Sequence, residues 1–357
     1  MRPALEDLGW SARVAAAFEP HRAAGLAAAR VSLEHTHIYR VLSAEGERLA
    51  RIAGRLRHHA SGRADYPVVG DWVAIDVPRA GDDARIRAIL PRFSGFSRRA
   101  AGDPTEEQVV AANIDVVFLV SGLDHDFNPR RIERYLLTAW DSGASPVIVL
   151  NKADLVEDVA PFVGEVTPIA QGAPVVTVSA KRPDSMAALR AHLGRGRTAA
   201  LLGSSGVGKS SIANVLIGEE RLRTREVRES DSRGRHTSTS RQLILLGRDG
   251  ILIDTPGMRE LQLWDTAESL AGAFADIQAL AQGCRFRDCR HAGEPGCAVA
   301  AAVNDGTLSA GRLESYQKLQ REQAFQTRQQ DQRAQIEQKR RFKVLTKAAN
   351  KKFKEKQ

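Results

Sequence analysis

The sequence predicts an α/β protein of three parts: an N-terminal OB-type β-barrel, a central α/β domain on a parallel sheet, and a C-terminal metal-binding helical domain. Three observations predict it. Five short β-type runs fall within about sixty residues near the N-terminus. From about residue 109 onward, apolar strands alternate with helical patterns, which is how a parallel sheet is written. All three cysteines of the 357 residues lie between 284 and 297, with a histidine among them.

Residues 1–27 are Ala-rich and predict no more than a short helix. The barrel is expected over 28–95, from runs at 30–33, 38–42, 48–52, 71–77 and 85–89 separated by turn signals such as Ala44-Glu45-Gly46. Arg40, Arg51, Arg55, Arg57, His58 and His59 offer it a basic face, with Tyr39 nearby for stacking. A plain barrel with solvated arginines reads equally well from this stretch alone. Residues 96–108 mix Pro, Gly and charge and read as a linker, placing the central domain at 109–278 and the last domain at 279–357.

In the central domain the stretch Gly203-Ser204-Ser205-Gly206-Val207-Gly208-Lys209-Ser210 lies between an apolar run and the helical segment that opens at Ser211. This spacing is a phosphate-binding loop: glycines let backbone N–H groups converge on phosphate oxygens, and the helix N-terminus adds a favourable dipole. Lys209 would reach the β- and γ-phosphates; Ser210 would hold Mg²⁺. Asn151-Lys152-Ala153-Asp154 follows a strand, where ligands of such sheets bind. The Asp154 carboxylate can accept from both the ring N–H and the 2-amino group of guanine, whereas adenine has no 2-amino group. Asn151 and Lys152 would brace the loop and cover the base. Ser179-Ala180-Lys181, at the end of the next strand, can present backbone N–H to the guanine carbonyl.

Residues 221–240 have many charges and no apolar periodicity, as a nucleotide-dependent loop would. Within them Gly234-Arg235-His236-Thr237-Ser238-Thr239 offers a hydroxyl, from Thr237 or Thr239, to complete the Mg²⁺ shell. Two strands later comes Asp254-Thr255-Pro256-Gly257: Asp254 would contact Mg²⁺, and the Gly257 N–H would sense the γ-phosphate.

Cys284, Cys289, His291 and Cys297 match a closed tetrahedral structural Zn²⁺ site, three thiolates and one imidazole. It would staple a small helical domain too short to hold a core alone. An odd, clustered set of cysteines argues against a disulfide framework.

Composition is that of a soluble globular protein, 43% hydrophobic and 27% charged. No apolar run approaches the ~18 residues of a membrane helix, and Glu6 and Asp7 stand where a signal sequence would be basic, so a cytoplasmic protein is expected. The formal net charge of +9 resides entirely in residues 312–357, where 14 Lys/Arg face 5 Asp/Glu. A basic helical arm of this kind is an electrostatic footprint for nucleic acid.

The guanine-nucleotide motifs are complete but rotated, with N-K-x-D and S-A-K ahead of the phosphate loop, the Thr loop and D-x-x-G. The chain thus resembles circularly permuted GTPases, and most closely the ribosome small-subunit-dependent GTPase A family. Barrel, permuted domain, G-R-H-T-x-T loop and metal cluster all take part, with Ser238 where the family motif has Thr. The resemblance implies a GTP hydrolase with Mg²⁺ and one structural zinc, partnered by the 30S subunit and its 16S rRNA and acting late in subunit maturation. A monomer is expected. Met258 stands where Ras-like enzymes carry a water-orienting Gln, and an apolar side chain cannot do that work. The resemblance makes His236 the candidate for orienting the water; contacting RNA or shaping the loop is its other role. A nucleotide-gated rRNA-binding module with incidental turnover is the alternative function, and an ATP-dependent enzyme is disfavoured by Asn151 and Asp154. The barrel is expected at the sheet edge away from the segment that follows Gly257, so that nucleotide state moves it relative to the zinc domain.

Overall fold

The computed structural model describes residues 3–35, 38–60, 62–77, 83–100, 103–218, 241–254, 274–314, 316–318 and 320–321. The chain forms two compact units, Met1–Trp264 and Asp265–Gln357. The barrel is therefore part of the same unit as the central sheet, and the second unit begins earlier than residue 279.

Five strands close the barrel: β1 (Ala27–His35), β2 (Ile38–Ser43), β3 (Gly46–Ile52), β4 (Trp72–Asp76) and β5 (Ala84–Ile89). They run in the order β1-β2-β3-β5-β4 and return to β1, with β3 and β5 parallel and the other pairs antiparallel. Alternate residues point inward, so Ala29, Val31, Val41, Val73, Ile75 and Ile86 make the barrel core. Tyr39 belongs to that core and is 3% exposed, which corrects its expected role in stacking. Arg40 is paired with Glu47 at 3.2 Å and Arg51 with Asp83 at 2.6 Å, so neither is an unopposed charge. The exposed basic residues Arg55, Arg57, His58 and His59 are instead presented by helix α2 (Gly54–His59).

The N-terminal segment does more than its composition suggests. A 3-10 turn, Leu5–Leu8, and helix α1 (Ala12–Ala23) close one end of the barrel, where Leu8, Val14 and Phe18 pack on Trp72 and Leu90. Beneath them Arg30 is wholly buried and donates to the carbonyl oxygens of Leu8 (2.6 Å), Gly70 (3.1 Å) and Asn113 (2.8 Å). Burial draws its pKa down to about 10 against the opposing pull of Asp115 and Asp71, which leaves it charged at neutral pH. One guanidinium thus ties the N-terminal turn, the barrel and the start of the central sheet together.

Residues 96–108 are not a linker. The described ones belong to two antiparallel strands, β6 (Gly95–Ala100) and β7 (Asp103–Ala112), with Ala100 opposite Asp103. Their cross-strand register sets Arg99 opposite Glu107 and Arg98 opposite Gln108. Phe96, Val110 and Ala111 of these strands are buried in the core.

The central sheet runs β10-β9-β8-β11-β13-β12. Its strands are β8 (Val116–Gly122), β9 (Ser145–Asn151), β10 (Val175–Thr177), β11 (Thr198–Leu202), β12 (Gln242–Leu245) and β13 (Ile251–Asp254). Five are parallel; β12 alone is antiparallel, to β13, because only a short turn joins the two. One face, with Val117, Leu119, Ile148 and Ala200, is covered by helices α3 (Pro129–Asp141) and α4 (Ala160–Val166). The other, with Phe118, Val120, Val149 and Leu252, is covered by α5 (Ala187–Arg190) and α6 (Lys209–Ile217). Burial on both faces explains why these strands read as continuous apolar runs.

The two sheets are continuous. Strand β1 pairs antiparallel with β12, Leu33 opposite Gln242, and Arg241 meets Glu34 at 3.5 Å. The barrel therefore joins the sheet beside β12 and β13, not at the far edge, which is β10. This corrects the expected arrangement: the barrel abuts the strand that follows the Thr loop.

In the second unit, helices α7 (Ala275–Ala281) and α8 (Ala298–Asn304) pack around Phe274, Ile277, Val299 and Tyr316. The Tyr316 hydroxyl accepts from Gln278 at 2.9 Å, and Arg312 lies over the Phe274 ring at 4.8 Å. Helical structure begins at residue 310; most of the basic tail lies outside the described residues.

Candidate functional site: a cleft at the strand ends

The end of β9, the turn after β10 and the start of α6 converge on one cleft of about 760 Å³, lined among others by Asn151, Lys152, Asp154, Lys181, Gly208 and Ser211. Such a position, beyond the carboxyl ends of parallel strands, is where open α/β sheets bind ligands.

The phosphate loop leaves β11 at Gly203, whose backbone passes so close to Val120 that a Cβ would come within 2.2 Å of that carbonyl oxygen. It enters α6 through Gly208, at φ +95°, where a Cβ would meet the Asn151 side chain. Only glycine fits either place. Ser205 and Gly206 are exposed at the tip, Val207 is buried beneath, and Ser210 and Ser211 occupy the first turn of α6. The Lys209 ammonium donates to the Gly203 carbonyl at 2.6 Å and to that of Ser204. It lies folded over the loop it would share with a phosphate.

Asn151 fastens this loop to the base-reading side. Only 1% exposed, it donates from Nδ2 to the Val207 carbonyl at 2.8 Å and accepts at Oδ1 from the Ala180 N–H at 3.2 Å. Its side chain thus touches the phosphate loop and the Ser179-Ala180-Lys181 turn at once. Asp154 accepts from the Ser179 hydroxyl at 2.6 Å and from Lys181 Nζ at 3.2 Å. The Ser179 hydrogen bond, helped by Lys181, holds its carboxyl below the usual range against the effect of burial. Asp154 is therefore an ionised acceptor at neutral pH, as a reader of two N–H donors must be. Lys152 is held in a left-handed conformation, φ +65°, with Nζ 2.5 Å from Asp124.

Asp254 ends β13 beside the phosphate-loop strand, β11 being its parallel neighbour with Ala200 opposite Ile253. His236, Thr237, Thr239 and Gly257 lie outside the described residues, as does Met258. Three residues at the cleft escaped the sequence reading. Leu155, 56% exposed, presents an apolar surface directly after Asp154, and its place after N-K-A-D was the available signal. Asp124, in the turn after β8, and Arg131, in the first turn of α3, stand behind the cleft and touch Lys152 and Ser204, where no spacing rule points to them.

The second unit holds a separate cluster. One ligand atom from each of Cys284, Cys289, His291 and Cys297 lies within 4.8 Å of all the others. His291 Nδ1 is 3.4 Å from Cys297 Sγ and 3.6 Å from Cys284 Sγ, and the two sulfurs are 3.9 Å apart. A tetrahedron with Zn–S bonds of about 2.3 Å has edges of about 3.7 Å, so the donor set fits a structural zinc ion. Cys297 also caps α8, its sulfur accepting from the Ala300 N–H at 3.3 Å.

Comparison with known proteins agrees with this geometry. Residues 89–264 match the RsgA GTPase family model. A protein of Opitutus terrae named small ribosomal subunit biogenesis GTPase RsgA is 51% identical over 92% of this chain and 92% of its own length. A protein of the same name from Syntrophotalea carbinolica is 43% identical over 96% and 95%. Among solved structures, YjeQ from Thermotoga maritima superposes with a TM-score of 0.63 at 28% identity, covering 84% of this chain and 99% of that one. YloQ, described as a circularly permuted GTPase, gives 0.61 at 25% identity, covering 84% and 96%. With that identity sustained along nearly the whole chain, and with the permuted order of its strand-end loops, the protein belongs to the RsgA GTPase family.

Proposed function

We infer that this protein is a GTPase of small ribosomal subunit biogenesis, which hydrolyses GTP to GDP and phosphate in late 30S maturation and is stimulated by the subunit itself. The observation that carries the guanine reading is Asn151, which joins the Asp154 side of the cleft to the phosphate loop through two hydrogen bonds. The relatives' shared name supplies the subunit.

In this reading Asp154 accepts from N1–H and the 2-amino group of guanine, the Ser179-Ala180-Lys181 turn presents backbone N–H to the ring carbonyl, the Lys181 N–H leaving the Ser179 hydroxyl to do so, and Lys152 with Leu155 covers the base. The loop Gly203 to Ser210 surrounds the phosphates, Lys209 exchanging its carbonyl partners for phosphate oxygens. Ser210, Asp254 and a hydroxyl of Thr237 or Thr239 are the proposed Mg²⁺ ligands; the ion would neutralise charge on the β- and γ-phosphates. Gly257 N–H is assigned to the γ-phosphate. His236 is assigned to the attacking water. Exposed basic residues of α2, together with the tail, are proposed to contact 16S rRNA phosphates. Among the described residues no helix is long and apolar enough to cross a membrane, in keeping with a cytoplasmic, ribosome-associated role.

The test is steady-state hydrolysis of GTP and of ATP by the purified protein, alone and with small or large subunits. Stimulation of GTP turnover by small subunits alone supports the reading. GTP-dependent binding to the subunit without turnover would mark a nucleotide-gated rRNA-binding module instead.

Zinc is the ion proposed for the Cys284, Cys289, His291 and Cys297 cluster. Metal analysis is expected to find about one zinc per chain, the stoichiometry of a single Cys₃His site. Its removal by a chelator should abolish the melting transition of the second unit while GDP binding by the first persists. Metal-free protein with an unchanged melt would refute the assignment.

A further inference from the structure

The turn between β8 and α3 touches both halves of the nucleotide cleft. At its start the Leu123 N–H donates to the Asn151 carbonyl at 2.8 Å, and the Asp124 carboxylate accepts from Lys152 Nζ at 2.5 Å. Both residues of that ion pair are substantially buried, Asp124 at 14% and Lys152 at 28% side-chain exposure, so the pair is shielded from the screening that empties surface ion pairs of energy. Just past its end, in the first turn of α3, Arg131 Nη1 is shared between the two Asp126 carboxylate oxygens, at 2.7 and 2.8 Å, and the Ser204 hydroxyl of the phosphate loop at 2.6 Å.

Between these ends the turn is internally fixed. Asp124 Oδ1 accepts from the Asp126 N–H at 3.1 Å, the Phe127 N–H donates to the Asp124 carbonyl at 2.9 Å, and the Asn128 side chain caps α3 by accepting from the Arg131 N–H at 3.2 Å. The Phe127 ring meets Phe162 edge-on at 5.0 Å, which seats the turn on α4. Burial raises the Asp124 carboxyl, yet the hydrogen bonds from Lys152 and from the Asp126 N–H outweigh it and leave it below the usual range. The turn therefore stays anionic toward Lys152.

We propose that this turn is a strut coupling the guanine-reading loop to the phosphate loop, with Asp124 and Arg131 as positioning residues. The proposal rests on the guanine-nucleotide reading of the cleft. Asp124 fixes where Lys152 stands before a base arrives, and Arg131 fixes Ser204 before phosphates arrive. The order of one loop is thereby transmitted to the other along the eight residues from Asp124 to Arg131. Preorganisation of this kind lowers the ordering cost of binding rather than adding contacts to the ligand.

Affinity for mant-GDP, measured on the full chain for the wild type, Asp124→Asn, Ser204→Ala and the double variant, tests it. Both substitutions leave the direct Asn151 link to the phosphate loop intact, so coupling between them reports on the strut. Each single change is expected to weaken binding about 3- to 10-fold, the scale of one partly exposed hydrogen bond. The double variant should be no weaker than the worse single one, because either break already releases the strut. Losses that multiply overturn the strut while leaving the site reading in place; a wild-type chain that binds no mant-GDP overturns both. A second pair guards against misfolding: Arg131→Lys, which keeps a cation between Asp126 and Ser204, should retain most of the affinity that Arg131→Met loses. Equal loss in the two also overturns the proposal.

Discussion

Replacing His236 with alanine is expected to lower subunit-stimulated GTP hydrolysis by about 100-fold or more, the usual contribution of a positioned acid–base group, while GDP affinity stays nearly unchanged. The chain has no glutamine after Gly257 to hold an attacking water; Met258 occupies that place. Loss of turnover without loss of binding is the signature of an interaction made only in the transition state. Steady-state hydrolysis with saturating small subunits, set beside mant-GDP titration of the same preparation, reads both quantities. Undiminished stimulated turnover would remove His236 from the chemistry and leave it a role in loop shape or RNA contact.

Asp154→Asn is expected to weaken GDP binding about 100-fold, as befits two hydrogen bonds to an ionised acceptor, and to reverse base preference in favour of xanthosine diphosphate. The reversal follows from donor and acceptor matching. An amide can accept from the ring N–H of xanthine and donate to its 2-carbonyl oxygen, but its NH₂ group faces the 2-amino group of guanine donor to donor. Ser179 stays 2.6 Å away as a donor to the remaining oxygen, so the side chain is held in the same place. Competition of GDP, xanthosine diphosphate and ADP against mant-GDP is the measurement. A variant that still prefers GDP would mean that another group reads the base.

Much of this site was legible because phosphate and guanine recognition impose spacing on the chain. The elements around Asn151, Ser179 and Gly203 follow from apolar runs that end in glycine or a polar cluster, and in the structure β9 ends at Asn151, β11 ends at Leu202 and α6 opens at Lys209, two residues ahead of Ser211. Cys284, Cys289, His291 and Cys297 were legible because four soft or borderline ligands in a short span have few other uses. What could not be read has physical reasons. The strands β6 and β7 hide behind charge: Arg98, Arg99 and Glu107 suppress the apolar signal, and only the fold shows them to be strand residues. Tyr39 looked available because a barrel strand of unknown register gives no inward or outward sense until its neighbours are fixed. Arg30, one arginine among many in the sequence, becomes the clasp of three segments only when Leu8, Gly70 and Asn113 converge on it. Asp124 and Arg131 act through partners 28 and 73 residues away, which no local pattern encodes.

The continuity of the barrel with the central sheet also bears on how the borders of the sheet are covered. An open parallel sheet ends in two rows of unpaired N–H and C=O groups, each a template for a foreign strand. Here one border is β10, only three residues long, Val175–Thr177. The other is β12, four residues long, with the barrel hydrogen-bonded at its first residue. Beyond that junction the strands curl back on themselves, since β4 returns to β1 and leaves the barrel no border of its own. Among the described residues, the eleven-stranded sheet is thereby finished at one end by brevity and at the other by closure.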